Sequence, residues 1–284
     1  MQKLSLEQLS IFQSRYTTSV GYLIPGETAV IRDKDIFKDL KDESWFSLLM
    51  FSLTGRHFSK NQINLFESIW ALSTSYPDSR LWNNRVAAIA ATAGSTPNLS
   101  IAAAVATCDT CIFGGGPFAG TYDLLIEAKL YIDQEGLLTD FLQQKFDQQR
   151  RRKRSSSHGE NRCVATITGY GRPIVNRDER MTPLLDKAKS LGLASSDYVQ
   201  IAFDIEKTLY AMGRKMSITI SALMSALCLE QGLSKAEYMA YMSMCFLAGV
   251  VSVFHDVAEK PTSSFFPISP KQIIYQGIPK RVLK

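Results

Sequence analysis

Apolar residues in this chain recur at helical spacing almost from end to end, and strand-like alternation is nearly absent. Ile36, Phe37 and Leu40, then Phe46, Leu49, Met50 and Leu53, fall on single helix faces. Thr54-Gly55-Arg56 closes that segment with a glycine, and Ser59 is placed to cap a helix over Lys60–Leu72. Two alanine-rich helices, Ala87–Thr92 and Ile101–Thr107, are split by Gly94-Ser95-Thr96-Pro97. Their small side chains let helix axes approach closely, at the centre of a fold or between subunits. Further helices are expected over Tyr122–Leu142 with a break at Gly136, then near Pro183–Ser190, Tyr198–Gly213, Ile218–Gln231 and Ser234–Lys260. Helical signals dominate, as they would in an all-α chain.

The length of 284 residues exceeds a usual single core and suggests two units. Gly114-Gly115-Gly116-Pro117 is the strongest break in the first half. From 143 to 162 the chain is Gln, Arg, Lys, Ser and His with almost nothing to bury, so a basic mobile surface loop is expected there. That run, Arg150–Arg154, carries much of the net charge of +5, so the charge says little about the rest of the surface. It lacks interleaved aromatics, which argues against specific nucleic-acid binding. Pro261–Lys284 reads as an extended arm.

The first residues include Glu7 where a secretory signal would need apolar sequence, and the most apolar windows read as buried helices, so no membrane association is expected. Five cysteines in a chain this long make no disulfide framework, and a reducing cytoplasm is the simplest setting. Cys108-Asp109-Thr110-Cys111 has CxxC spacing without a second ligand pair, so two buried thiols are expected and no metal site. The glycine run is followed by no Gly-Lys-Ser/Thr, which favours a plain turn over a phosphate cradle.

The order of these pieces resembles the citrate synthase and citryl-CoA lyase superfamily. An RGYD-like turn corresponds to Ile31-Arg32-Asp33-Lys34-Asp35-Ile36, and an LLTGRLPS-like stretch to Phe51–Ser59. The family's "DH…S…aAR…AST" region is matched by Tyr76–Gly94, and its HGGA turn by Phe118-Ala119-Gly120-Thr121. GxGHxxxxxxDPR is matched by Gly169-Tyr170-Gly171-Arg172 and Asp178-Glu179-Arg180. A GfiaHylD-like helix end is matched by Ser252–Asp256, and the closing Y-x-G-x-x-R by Tyr275-Gln276-Gly277 and Arg281. The resemblance covers nearly the whole chain. It implies a two-domain helical fold, with a large domain at 1–117 and 224–284 and a small domain at 118–223. It also implies a tight homodimer and a site that binds a CoA thioester beside an oxo-dicarboxylate.

What the resemblance does not carry over is the family's chemistry. Condensation needs a carboxylate to take a carbon-bound proton and neutral donors, usually histidines, to polarise the enolate and carbonyl. The chain has three histidines, His57, His158 and His255, and none falls at a catalytic position. Thr74–Arg80 lacks the first, Phe118 stands for the second and Arg172 for the third. Ser221 stands nearest the aspartate, and no acid lies between Gly213 and Leu229. Ordinary citrate synthesis is therefore not expected.

Carboxylate recognition is partly kept. Arg180 matches the oxo-acid arginine, Arg172 adds a second guanidinium, and Arg281 resembles the tail arginine that enters the partner subunit's site. A further family arginine, on the late helix, is Ala248 or a neighbour here. The plain alternative for Arg180 and Arg281 is a surface or interface ion pair. His255 is expected in core packing or behind the site. Two readings stay open: an enzyme of altered acyltransferase or lyase chemistry on a CoA thioester and a carboxylate, with no bound cofactor, or a non-catalytic protein that binds a metabolite or a partner subunit.

Overall fold

A computed structural model of the chain describes Glu7, 16–73, 76–155, 167–172 and 178–278. It is built from helices. A three-stranded antiparallel sheet, β1 (Gly21–Ile24), β2 (Thr28–Ile31) and β3 (Lys34–Asp35), precedes them in the order β1-β2-β3. The helices are α1 (Trp45–Thr54), α2 (Lys60–Ser73), α3 (Trp82–Thr92), α4 (Pro97–Ala106), α5 (Gly115–Asp133) and α6 (Leu138–Ser155). They continue as α7 (Met181–Ser190), α8 (Asp197–Ala211), α9 (Ile220–Glu230), α10 (Lys235–Met244) and α11 (Leu247–Ala258). The all-α expectation holds, and the small sheet is an addition whose strands, of four, four and two residues, were too short to announce it.

Local signals set the boundaries. Gly55 ends α1 at a left-handed φ of 72°, with its N–H bonded to Phe51 O at 2.7 Å. Ser59 and Gln62 cap α2 reciprocally: the Gln62 amide donates to Ser59 Oγ, and Ser59 N–H donates to Gln62 Oε1. Thr96 caps α4 through Leu99 N–H, and Pro97 opens it.

The packing forms two compact units. The first contains Met1–Ser73 and Pro117–Met242, the second Thr74–Gly116 and Ser243–Lys284. The family-style partition, with breaks after 117 and after 223, remains a proposal beside these. In the second unit α3, α4 and α11 bury Ala87, Ala88, Ala91 and Ala104 against Val250, Val253, Phe254 and Val257. Methyl-sized side chains on α3 and α4 are what allow that close approach.

In the first unit α9 is the central helix. Every residue from Ile220 to Leu229 is buried, as a helix apolar on all sides must be. Its polar exceptions are satisfied: Ser225 Oγ pairs with Tyr238 Oη at 2.8 Å. Tyr122 donates to Leu233 O at 2.7 Å and stacks on Tyr238 at 5.3 Å. Lys235–Ala258 taken as one stretch is long and apolar enough to cross a membrane. It breaks between α10 and α11, and Tyr238, Tyr241 and Val250 are fully buried.

Several expectations are overturned: Ile36, Phe37 and Leu40 lie in turns after β3 and not on a helix, the stretch expected as one helix over Ser234–Lys260 is split into α10 and α11, and Gly115, Gly116 and Pro117 open α5. The basic stretch from 143 is not a loop: Gln143–Ser155 lies in α6, and the remainder to 162 lies outside the described residues. Gln, Lys and Arg are good helix formers, and buried Phe141 and Leu142 anchor the helix near its start. The arginines at its end, including Arg150, Arg151 and Arg154, ride as an exposed extension.

Candidate anion site at the start of the central helix

The glycine-rich segment Thr168–Arg172 is tied to the residues that lead into α9. Gly171 N–H donates to Ser217 O at 2.7 Å, and Thr219 N–H donates to Gly169 O at 2.9 Å. Thr219 Oγ1 donates to the same carbonyl at 2.9 Å. Gly169 has φ +83°, and a methyl group there would lie 2.6 Å from Thr121 Cγ2 and 3.2 Å from Ala222 Cβ. Glycine is required at that position by both conformation and space. Tyr170 is buried and donates to Ala202 O at 2.9 Å. Burial pushes its phenol well above the ordinary tyrosine range, so it anchors the segment and moves no proton near neutral pH.

Asp178 organises the charges beside this segment. Its carboxylate, with no side-chain exposure, accepts Arg180 Nε and Nη2 at 2.8 Å each, Arg180 N–H at 3.2 Å and Ile220 N–H at 2.9 Å. The last of these is the first amide of α9, where a helix favours negative charge. Burial would raise the carboxyl, but the hydrogen bonds and charge of Arg180, with the Ile220 amide, outweigh it and hold Asp178 below the usual carboxylate range. Arg172 Nη1 approaches the same carboxylate at 3.7 Å and donates to Glu179 Oε2 at 2.6 Å. Two arginines, at the positions read as carboxylate-binding, therefore converge on one buried acid.

Phe118 and Ser221, which the motif resemblance sets against the family's proton-transfer groups, both lie in the packed interior of the first unit. Phe118 is buried in the first turns of α5. Ser221 is buried on α9, with its Oγ 3.3 Å from Thr121 Oγ1. Thr121 Oγ1 also donates to Pro117 O at 2.6 Å and lies 3.1 Å from Thr168 Oγ1. These hydroxyls tie α5, the glycine segment and α9 together, and hydroxyls of ordinary acidity are no carboxylate base. Sequence reading missed the Thr121–Thr168–Ser221 cluster because residues 47 and 100 positions from Thr121 meet only in three dimensions. A cavity of about 550 Å³ adjoins the site, with Asp178, Met181, Phe203, Glu206, Tyr210 and Ser217 in its wall. Its size suits a small ligand.

Other expected residues fall elsewhere. His255 is not in the core: its side chain is 75% exposed and its Nε2 lies 3.2 Å from Glu259 Oε1. On α11 the inward face is Val250, Val253, Phe254 and Val257, which turns the next residue after Phe254 outward. Arg281 and His158 lie outside the described residues. The CxxC pair is split. Cys108 is a buried free thiol, pushed up to about 11 by burial against a hydrogen bond with Asn83, whereas Cys111 is exposed and disulfide-bonded. Two buried thiols were expected; Cys111 follows the exposed turn instead. Among the described residues no cluster of His, Cys, Asp and Glu could hold a metal. In the glycine run, Gly115, Gly116 and Pro117 open α5, with Gly115 N–H donating to Cys108 O and Gly116 N–H to Thr110 O, so these amides are not turned toward a phosphate.

No family profile matches the sequence, and no curated protein matches it by sequence. Solved structures match it in fold. Citryl-CoA lyase from Hydrogenobacter thermophilus superposes with a TM-score of 0.77 at 16% identity, over 95% of this chain and 97% of that one. ATP citrate lyase from Methanosaeta concilii, solved with (3S)-citryl-CoA, gives 0.69 at 15% identity, over 99% of this chain and 45% of that one. Citrate synthase from Thermotoga maritima gives 0.59 at 19%, over 86% of this chain and 60% of that one. The chain thus spans nearly all of the lyase, under half of ATP citrate lyase and over half of the synthase. With its helical architecture and the ordered motifs, the chain has the fold of the citrate synthase and citryl-CoA lyase superfamily.

Proposed function

We propose that this protein binds a small carboxylate, and a CoA thioester beside it, in a citrate-synthase-like pocket whose chemistry has diverged from citrate synthesis. The observation that carries this reading is the convergence of Arg172 and Arg180 at Asp178, with Phe118 and Ser221 where the family keeps proton-transfer groups. Guanidinium forks suit carboxylates. Phenylalanine moves no proton, and serine of ordinary acidity is no substitute for the missing base. If catalysis is retained, it is acyltransferase or lyase chemistry in which substrate groups or the solvent supply the proton steps. A homodimer, with Arg281 of the tail entering the partner's site, belongs to the same proposal, as does the domain partition at 117 and 223. So does a cytoplasmic setting, against which the Cys111 disulfide counts.

A specific observation favours a non-catalytic variant of this reading. Both site arginines already hold carboxylates of the chain itself, which is the arrangement of a structural ion-pair cluster. In that variant the protein binds a metabolite or an active partner subunit and regulates it.

Native mass spectrometry of the purified chain identifies a co-purifying metabolite. Calorimetric titration with oxaloacetate and with citrate, on the wild type and Arg172→Ala, then tests the site. The expected loss on Arg172→Ala is about 1.5–3 kcal/mol, the scale of a charged hydrogen bond. Unchanged affinity with a lowered melting temperature would assign Arg172 to structure alone.

A further inference from the structure

Two departures from the family motifs meet in space. The histidine of GxGH is Arg172, and the proline of DPR is Glu179. Seven residues apart, they form an ion pair at 2.6 Å between Arg172 Nη1 and Glu179 Oε2. One change adds a cation and the other an anion that sits on it. The two acids of this cluster are not equivalent. Asp178 is fully buried and fixed by the Arg180 fork and the Ile220 amide. The Glu179 side chain is 61% exposed, so its carboxylate can leave Arg172 for water while the backbone stays in place. Arg172 is itself 28% exposed, which leaves its guanidinium within reach of solvent. Among the described residues, Arg172, Arg180, Asp178 and Glu179 sum to zero charge, and turning Glu179 away leaves the cluster positive. A hydrogen bond from its own backbone and one from Arg172 hold the Glu179 carboxyl below its usual range, so it is an anion at neutral pH.

We infer that Glu179 is a built-in competitor for the anion held by Arg172: a ligand carboxylate enters by displacing the Glu179 carboxylate, which sets the affinity threshold of the site. This rests on the carboxylate-binding reading above and adds the residue that tunes it.

The test is calorimetric titration of oxaloacetate into the full-length chain, comparing wild type, Glu179→Gln, Arg172→Ala and the double variant, with thermal melts of each. Exposed ion pairs are weak, so Glu179→Gln should tighten binding by roughly three- to fivefold. Arg172→Ala should weaken binding, and adding Glu179→Gln to it should restore nothing, because the competition takes place on Arg172. Glu179→Asp, which keeps the charge on a shorter stem, distinguishes contact from charge: under competition it binds more tightly than wild type. Wild-type affinity in Glu179→Gln, together with loss of binding in Arg172→Ala, would overturn the competitor and leave the carboxylate site standing. A gain that persists in the double variant would also overturn it, in favour of a general effect of one negative charge. Affinity indifferent to Arg172 in every background would remove the carboxylate site and the competitor together.

Discussion

Asp178 is the residue on which the candidate site depends, and its removal is the sharpest stability test. Asp178→Asn would leave Arg180 without its buried carboxylate and should destabilise the fold by about 3 kcal/mol, measured by urea unfolding. A loss near zero would mean that the pair contributes nothing to folding. The pH dependence has a definite sign. The folded carboxyl lies below its ordinary value, so the stability it contributes is present above about pH 4 and is lost as pH falls through the depressed folded value. Wild type should therefore lose more stability than Asp178→Asn on acidification below about pH 4. Gly169→Ala offers a second residue-scale test. With φ +83° and Thr121 Cγ2 only 2.6 Å from the new methyl, it should cost about 2 kcal/mol. An unchanged melting temperature would show that the glycine segment can move away from α5.

At the scale of elements, α6 separates what holds a helix in place from what decorates it. Leu142, with no exposure, anchors it in the first unit, and Leu142→Ala should cost about 3 kcal/mol. Replacing exposed Arg151, Arg152 and Arg154 by Gln should change stability by about 0.5 kcal/mol or less in thermal melts. Equal costs from the two sets would contradict the anchored-extension picture. The same helix shows where element-level reading failed. A run with nothing to bury was read as a loop, but Gln, Arg and Lys extend a helix readily once Phe141 and Leu142 have fixed its start. The caps at Gly55 and Ser59 were legible because capping is local: the signal and its hydrogen bond lie within four residues.

For the whole molecule, the fold and the proposed divergence of its chemistry make one joint prediction. Purified protein given acetyl-CoA and oxaloacetate should release no CoA at a rate within a few decades of ordinary enzymes. Release near about 10 per second would refute the proposed divergence at Phe118, Arg172 and Ser221. Sedimentation should find a homodimer, for which the exposed apolar side chains of the tail, among them Phe266, Ile274 and Tyr275, are candidate contact surface. A stable monomer at micromolar concentration would count against the subunit-crossing role proposed for Arg281.

The sequence by itself determined the class of fold, the main helices and most of their ends, because helical periodicity and capping operate over a few residues. The ordered motifs were enough to point to the superfamily fold, and the replacement of its histidines and aspartate is a proposal that rests on the placement of those motifs. Only the tertiary structure decided what the surviving charges do. Whether Arg172 and Arg180 face a ligand, water or another side chain depends on Asp178 being clamped to the first amide of α9, a contact 42 residues long in sequence. Whether His255 lies inside or out depends on the face α11 gives to α3 and α4. Propensity and pattern are properties of neighbours in the chain; the pairing of a charge is a property of neighbours in space.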